Sequence, residues 1–180
     1  ATAEEARNEA LKMIGVYRDV AQEFMAMPVL TGLKTEREKF AGAVETYTIE
    51  AMMGDNKALQ AGTSHYLGQN FAKAFDVTYQ TENNEMEYVY ASSWGVSTRL
   101  VGALIMTHGD DKGLILPPKV APHQIVIVPI YRKDSDKKRV MGKVDELSQK
   151  LAERHIRYHV DDRDTLSPGF KFNDWEMKGV

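Results

Sequence analysis

Residues 117–122 read Pro-Pro-Lys-Val-Ala-Pro, and the hydrophobic rhythm of the chain differs on the two sides of that stretch. Proline fixes its own φ, donates no backbone hydrogen bond and pushes the preceding residue out of helical conformation. Neither a helix nor an interior strand runs through such a cluster, so it is the natural place to divide the 180 residues. The expected domains are 1–120 and 121–180. Upstream, short alternating stretches separated by turns predict antiparallel hairpins with helices; downstream, two β-rich runs flank a long amphipathic one. The expected fold class is α+β: an antiparallel sheet with helices, followed by an α/β segment.

The upstream elements follow from local chemistry. Thr2 and Glu5 have capping-box spacing, and Ala6, Ala10, Ile14, Tyr17, Ala21 and Phe24 recur at helical intervals, so a helix is expected over 3–26, stopped by Pro28. Thr35 and Glu38 open a helical turn before Gly42. Alternation over 46–51, the turn Gly54-Asp55-Asn56 and residues 57–64 predict a hairpin. A short amphipathic helix carries Leu67, Phe71, Ala74 and Phe75, and strands are expected over 77–81 and 86–92. Ser97 caps a helix through Leu100, Val101, Leu104, Ile105 and His108. Being apolar on nearly every side, that helix is expected in a core, with Gly109 as its stop. Downstream, 124–131 reads as a strand buried on both faces, 135–154 as a helix with Val140, Val144, Leu147 and Leu151 on one stripe, and 156–160 as a second strand. Strand, helix, strand implies a right-handed βαβ unit.

Composition narrows the function classes. With 43% hydrophobic and 27% charged residues, the sequence is that of an ordinary folded domain. No apolar run reaches the roughly 18 residues of a membrane span, and the acidic start ATAEEARNEA does not resemble a secretory signal. The absence of cysteine excludes disulfides and cysteine–zinc sites within the chain and fits a cytoplasmic location. The net charge of −3 is unevenly spread: residues 1–131 carry −5 and 132–180 carry +2. That is too mild to announce nucleic acid by field alone.

Four polar groups are candidates for chemistry. Gln60-Ala61-Gly62-Thr63-Ser64-His65 lies at a strand end, where Gly62 permits close backbone approach; taken alone it reads more simply as a locally bonded turn than as a site for a small polar ligand. Ser93-Trp94-Gly95-Val96-Ser97-Thr98-Arg99 joins a glycine-ended strand to a helix whose first turn offers hydroxyls and free N–H groups. Arg99, opposing the helix dipole, needs an anionic partner: a phosphate or carboxylate of a ligand, or an acid such as Glu50. His108, Asp110 and Asp111 read as a glycine-flanked loop more simply than as a metal site, and 132–139 as a solvated helix entry.

Taken in order, the strings LKTEREKFAGAVETYTIEAMM, LQAGTSHYLGQNFAKAF, SSWGVSTRLVGALIMTHGDDKGLILPPKVAP, QIVIVPI and GFKFNDWEMKGV resemble the prolyl-tRNA synthetases, in the archaeal and eukaryotic-like form. This is a class II aminoacyl-tRNA synthetase family, and the resemblance covers essentially the whole chain. It implies the C-terminal part of an antiparallel catalytic sheet with helices, then the start of an anticodon-binding domain. The implied reaction joins proline to ATP as prolyl-adenylate and transfers the prolyl group to tRNA(Pro). Arg99 then resembles the third-motif catalytic arginine against adenine and the outer phosphate. Ser97, Gln60 and Thr63 match ATP-binding positions; His65, Trp94 and Gly95 match the proline pocket. His108, Asp110 and Asp111 receive no role.

The resemblance further implies ATP and Mg²⁺, proline and tRNA(Pro) as partners, and a homodimer of the full-length enzyme. It implies neither a membrane nor a DNA partner, and no resident metal. The family's first two motifs lie upstream of the helix with which this chain opens, so an internal piece, inactive by itself, is expected. The competing reading is a synthetase-like paralogue that binds tRNA or protein without activating an amino acid. The set Gln60, Thr63, Ser97 and Arg99 favours the enzyme, because a pure binder needs no ATP residues.

Overall fold

The computed structural model describes residues 2–180. By internal contacts the chain forms two compact units, one up to Ala103 and one from Leu104 to Val180.

In the first unit, α1 (Ala3–Asp19) begins at a capping box: the Thr2 side chain accepts from the Glu5 N–H while the Glu5 carboxylate accepts from the Thr2 N–H. The helix widens into a π-helical turn over Val20–Phe24 and stops before Pro28. Strands β1 (Val29–Leu33), β2 (Glu45–Met52), β3 (Ala58–Gly68) and β6 (Ala91–Gly95) form an antiparallel sheet in the order β1-β2-β3-β6. The helix covers one face of this sheet. Ala10, Ile14 and Ala21 are buried there with Ile49, Ala51 and Ala61, and the fully buried Ser64 hydroxyl donates to the Ala10 carbonyl at 2.8 Å. A short helix, α2 (Asn70–Phe75), ends at Asp76 in the left-handed region and leads to the separate hairpin β4 (Thr78–Gln80) and β5 (Met86–Tyr88).

Three expectations for this unit need correction. The strand expected over 86–92 is two: Met86–Tyr88 pairs with β4, whereas Ala91–Gly95 leaves that hairpin and pairs with β3. Strand β1 was not anticipated. It follows Pro28 at once and occupies a sheet edge, so half its pairing groups face outward and Leu30 stays 79% exposed, which erases the alternation that marks a strand. Helix α3 (Arg99–His108) starts and stops as expected, with the Gly109 N–H reaching the Ile105 carbonyl, but it is not buried in a core. Ala103 is its buried residue, while Val101 is 58% and Met106 53% exposed.

The second unit holds β7 (Ile125–Ile127) and β8 (Tyr158–Val160), paired in parallel and joined through α4 (Asp134–Glu153), as the strand–helix–strand pattern requires. The strand expected over 124–131 is only three residues long and is not buried on both faces, since Ile125 and Ile130 are exposed. Val144 and Leu151 anchor α4; Leu147 is exposed. Helix α5 (Pro168–Met177) is capped by Ser167 and carries proline at its first position. The segment after Gly109 packs against the end of α5. The Leu116 N–H donates to the Gly179 carbonyl, and a Cβ on Gly113 would lie 2.9 Å from the Met177 Cα. That close approach explains why residues from Leu104 onward group with the downstream unit.

Arg157 fastens the proline-rich connector. Its guanidinium donates to the carbonyls of Pro118 at 2.7 Å, Lys119 at 3.0 Å and Ala121 at 3.0 Å, while its backbone exchanges hydrogen bonds with Gln124. A second donor atom, Nε, reaches the Ala121 carbonyl at 3.1 Å, a forked contact that a lysine ammonium does not reproduce. Arg157→Ala is expected to lower the stability of this unit by about 1–3 kcal/mol, and Arg157→Lys to recover less than half of that. Urea unfolding, with hydrogen exchange of the amides over 117–125, measures both; a wild-type midpoint in Arg157→Ala would remove the clip from the account.

Candidate active site

Strand β3 is paired on both sides, and the register decides which side chains share a face. Directly paired residues of an antiparallel ladder point the same way. Thr63 pairs with Thr48 and Gly95, and His65 with Thr46 and Ser93. Gln60 is three residues from Thr63, which in a regular strand places it on the opposite face. A bulge changes this: Gly62 pairs with Ile49 and Gln60 with the next residue, Glu50, so Ala61 is the extra residue. Gln60 thereby joins Thr63, His65 and Gly95 on one face of the sheet.

Ser64 and Trp94 are paired with each other and belong to the opposite face, where Ser64 meets α1. The register therefore does not bring Trp94 together with His65. Gly62 also lies on the helix side. A Cβ there would approach Val96 at 3.1 Å and Tyr17 at 3.2 Å, so the missing side chain makes room for packing rather than for a ligand.

Arg99 enters from the end of β6. The Ser97 hydroxyl accepts from the Arg99 N–H at 3.3 Å, which fixes the first residue of α3, and Nη1 of Arg99 donates to the Gln60 carbonyl at 3.3 Å. The ion pair with Glu50 is not formed: Glu50 faces Lys34 at 3.9 Å, and among the described residues no carboxylate pairs with Arg99. The guanidinium is exposed and keeps most of its donors for something else.

His65 sits in a small aromatic corner that the sequence did not reveal. Its Nδ1 lies 3.0 Å from the Thr46 hydroxyl, which also accepts from the Phe40 N–H, and the Phe40 ring is tilted against the imidazole at 5.0 Å. Phe71 stacks on Phe40 in turn. Burial, reinforced by the nearby charge of Lys34, pushes the His65 pKa down and keeps the ring neutral near pH 7. The signal for Phe40 was present in the string that follows Thr35 and Glu38, but only pairing of β2 with β3 carries that turn to His65.

Asp110 Oδ1 accepts from the N–H groups of Lys112 and Gly113 and shapes the loop that meets α5. Asp134 and Asp136 occupy the first turn of α4, and Lys137 pairs with Asp164 at 2.7 Å. Among the described residues, no group of three or more histidines and carboxylates is placed to hold a metal ion. Among the described residues, no helix is long and apolar enough to cross a membrane.

Comparison with known proteins bears on both units. Residues 124–180 match the family described as anticodon binding domain. The whole chain is 59% identical over 180 residues to a proline–tRNA ligase of Salinibacter ruber, covering 37% of that protein. It is 58% identical to one of Bacteroides fragilis, covering 36%, and 57% identical to one of Chloroflexus aurantiacus, covering 38%. The chain thus spans a little over a third of the length of the curated relatives it matches, with no part of itself left over. With 57–59% identity over its whole length, and residues 124–180 matching the anticodon binding domain family, the chain is similar to a little over a third of each of these proline–tRNA ligases.

Proposed function

We propose that this chain contributes part of the ATP and proline site of a proline–tRNA ligase and the start of its tRNA-reading domain. The observation that carries the reading is the bulged register that puts Gln60, Thr63 and His65 on one face while Arg99 reaches its edge. We take 1–120 as the catalytic portion of a class II synthetase domain and 121–180 as the start of the anticodon-binding domain; the family match beginning at residue 124 supports the second assignment.

In the reaction, a proline carboxylate oxygen attacks the α-phosphorus of ATP, pyrophosphate leaves, and the prolyl group then passes to the terminal ribose of tRNA(Pro). Catalysis of this kind consists of holding the nucleophile in line and neutralising charge as it shifts. Arg99 suits the nucleotide side: a guanidinium lies flat on an adenine ring and donates to phosphate oxygens at once. Ser97, by accepting from the Arg99 N–H, orients that first helical residue. Gln60 and Thr63 supply polar contacts beside it. His65, neutral and backed by Phe40, lines the compact apolar end for proline, with Gly95 keeping the neighbouring strand low.

Mg²⁺ would supply charge neutralisation on the pyrophosphate. The carboxylate near Gln60, Glu50, is turned to Lys34, and among the described residues no group of three or more histidines and carboxylates offers a donor set for it, so no step here runs through the ion. Assembly of the full-length enzyme as a homodimer and a cytoplasmic location complete the reading.

Arg99 gives the direct test. In the complete ligase, Arg99→Ala is expected to slow adenylate formation by about 100-fold or more, and Arg99→Lys nearly as much. Melting should move by no more than about 1 kcal/mol in either variant, as for an exposed side chain. Adenylate formation against ATP concentration, beside thermal melts, is the measurement; wild-type ATP dependence in Arg99→Lys would eliminate the stacked and bridging role.

His65 gives a pH test. Its pKa is lower folded than unfolded, so as pH falls the unfolded state takes up the proton first. The stability it contributes is complete above the unfolded value of about 6.5 and is lost as pH falls through the folded value. His65→Gln, which can still bond Thr46, should flatten the decline in melting temperature between neutral pH and about pH 5. In the complete ligase it should raise the KM for proline more than that for ATP. A variant whose acid decline matches wild type would remove His65 as a titrating group.

A further inference from the structure

The downstream unit buries a carboxylate that no step above uses. Asp161, immediately after β8, is 1% exposed. Arg163 donates to it twice, from Nε at 2.8 Å and Nη2 at 2.6 Å, and the Trp175 indole N–H donates at 2.9 Å. The Lys171 ammonium, also buried, lies 3.8 Å from the carboxylate and donates to the Asp161 carbonyl at 2.9 Å. Arg163 continues to Asp174, which holds Lys178, and Lys178 lies over the Trp175 ring. One buried acid thus ties the end of β8 to two positions along α5 directly, Lys171 and Trp175, and to a third, Asp174, through Arg163.

Two of the cations it holds have a second surface. Arg163 and Lys171 line a polar pocket of about 360 Å³ together with Tyr131, Lys137 and Asp164. The pocket lies where the chain leaves β7 and β8 and where α4 begins, outside the carboxyl ends of parallel strands, the general location of ligand sites in such sheets. Arginine and lysine donors beside a tyrosine ring suit the phosphates and unstacked bases of a single-stranded RNA loop. A guanidinium presented to such a ligand discriminates only if its plane is fixed, and the two hydrogen bonds it donates to a buried carboxylate fix it.

We propose that Asp161 is a positioning residue for tRNA binding: it orients Arg163 and Lys171 toward the pocket and sets α5 against β8. This rests on the reading of 121–180 as tRNA-binding. Loss of the Asp161 charge takes away the two bonds that fix the Arg163 plane and leaves it only the single contact to Asp174, about which the guanidinium can turn.

The test uses the complete ligase. Asp161→Asn is expected to raise the KM for tRNA(Pro) by about tenfold, while the kcat for charging and proline-dependent ATP–pyrophosphate exchange stay within about twofold. A purely structural role would lower kcat, exchange and KM behaviour together, and that pattern in a protein shown to be folded overturns the proposal, as does an unchanged KM for tRNA. Should Asp161→Asn fail to fold, Trp175→Phe keeps the acid and the ring and deletes one donor; a rise of about threefold in the same KM is expected, and no rise overturns the proposal. Wild-type enzyme charging tRNA(Pro) with substituted anticodon bases separates the two readings. Indifference to the substitution would sink the tRNA-reading assignment itself; discrimination by wild type with no effect of Asp161→Asn would sink only the role of Asp161.

Discussion

The pairing of β3 with two neighbours at once is the constraint on which the candidate site depends. A strand hydrogen-bonded on both edges cannot slip by one residue without moving every side chain to the other face. Here one face is closed by α1, through Ser64, Gly62 and the small residues Ala10 and Ala61. With that face committed to packing, Thr63 and His65 are forced onto the open side. The bulge at Ala61 is one of two departures from regular pairing, the other lying between Tyr66 and Gly68 against β6, and its effect is to turn Gln60 the same way. Bulges often re-aim one side chain near a functional surface, and this one does so beside Arg99.

Much of this organisation was legible in the sequence because it is local. The capping box at Thr2 and Glu5, the turn at Gly54-Asp55-Asn56, the stop at Gly109 and the βαβ order after residue 124 each follow from residues within a few positions of one another. What was not legible is pairing. Nothing in residues 86–95 says that the first three join β4 and the last five join β3. The face occupied by Gln60 needed the bulge, for which the isolated Gly62 within a strand was the available hint. Trp94 stood beside Gly95 in the sequence, yet adjacent residues of a strand point to opposite faces, and the two part company in the sheet.

Helix α3 marks a different limit. Its sequence is apolar nearly all round, which is the signature of burial, and yet Val101, Ile105 and Met106 are exposed. A sequence records that a face is apolar; it does not record which surface covers it. The loop after the helix shows the converse. His108-Gly109-Asp110-Asp111-Lys112-Gly113 looked like chemistry, whereas Gly113 serves a close backbone approach to α5 and Asp110 closes the turn that delivers it. Backbone contact of this kind carries no periodicity and is visible only in three dimensions.

The arginines differ in how much of their bonding capacity the fold itself uses. Arg157 is spent on the carbonyls of the connector, and Arg163 on Asp161 and Asp174, in bonds of 2.6 to 3.1 Å. Arg7 is held by Glu45 at 2.8 Å. Arg99 makes a 3.3 Å contact to the Gln60 carbonyl and pairs with no acid among the described residues. Exposure alone would not distinguish it, since Arg132 and Arg154 are also exposed. Its position does: the Ser97 cap fixes where the side chain starts, and the Gln60 carbonyl fixes where it points, at the end of the strand that carries Thr63 and His65. A guanidinium placed this closely at both ends, with its remaining donors unspent, is pre-organised for an anion that arrives from outside the fold.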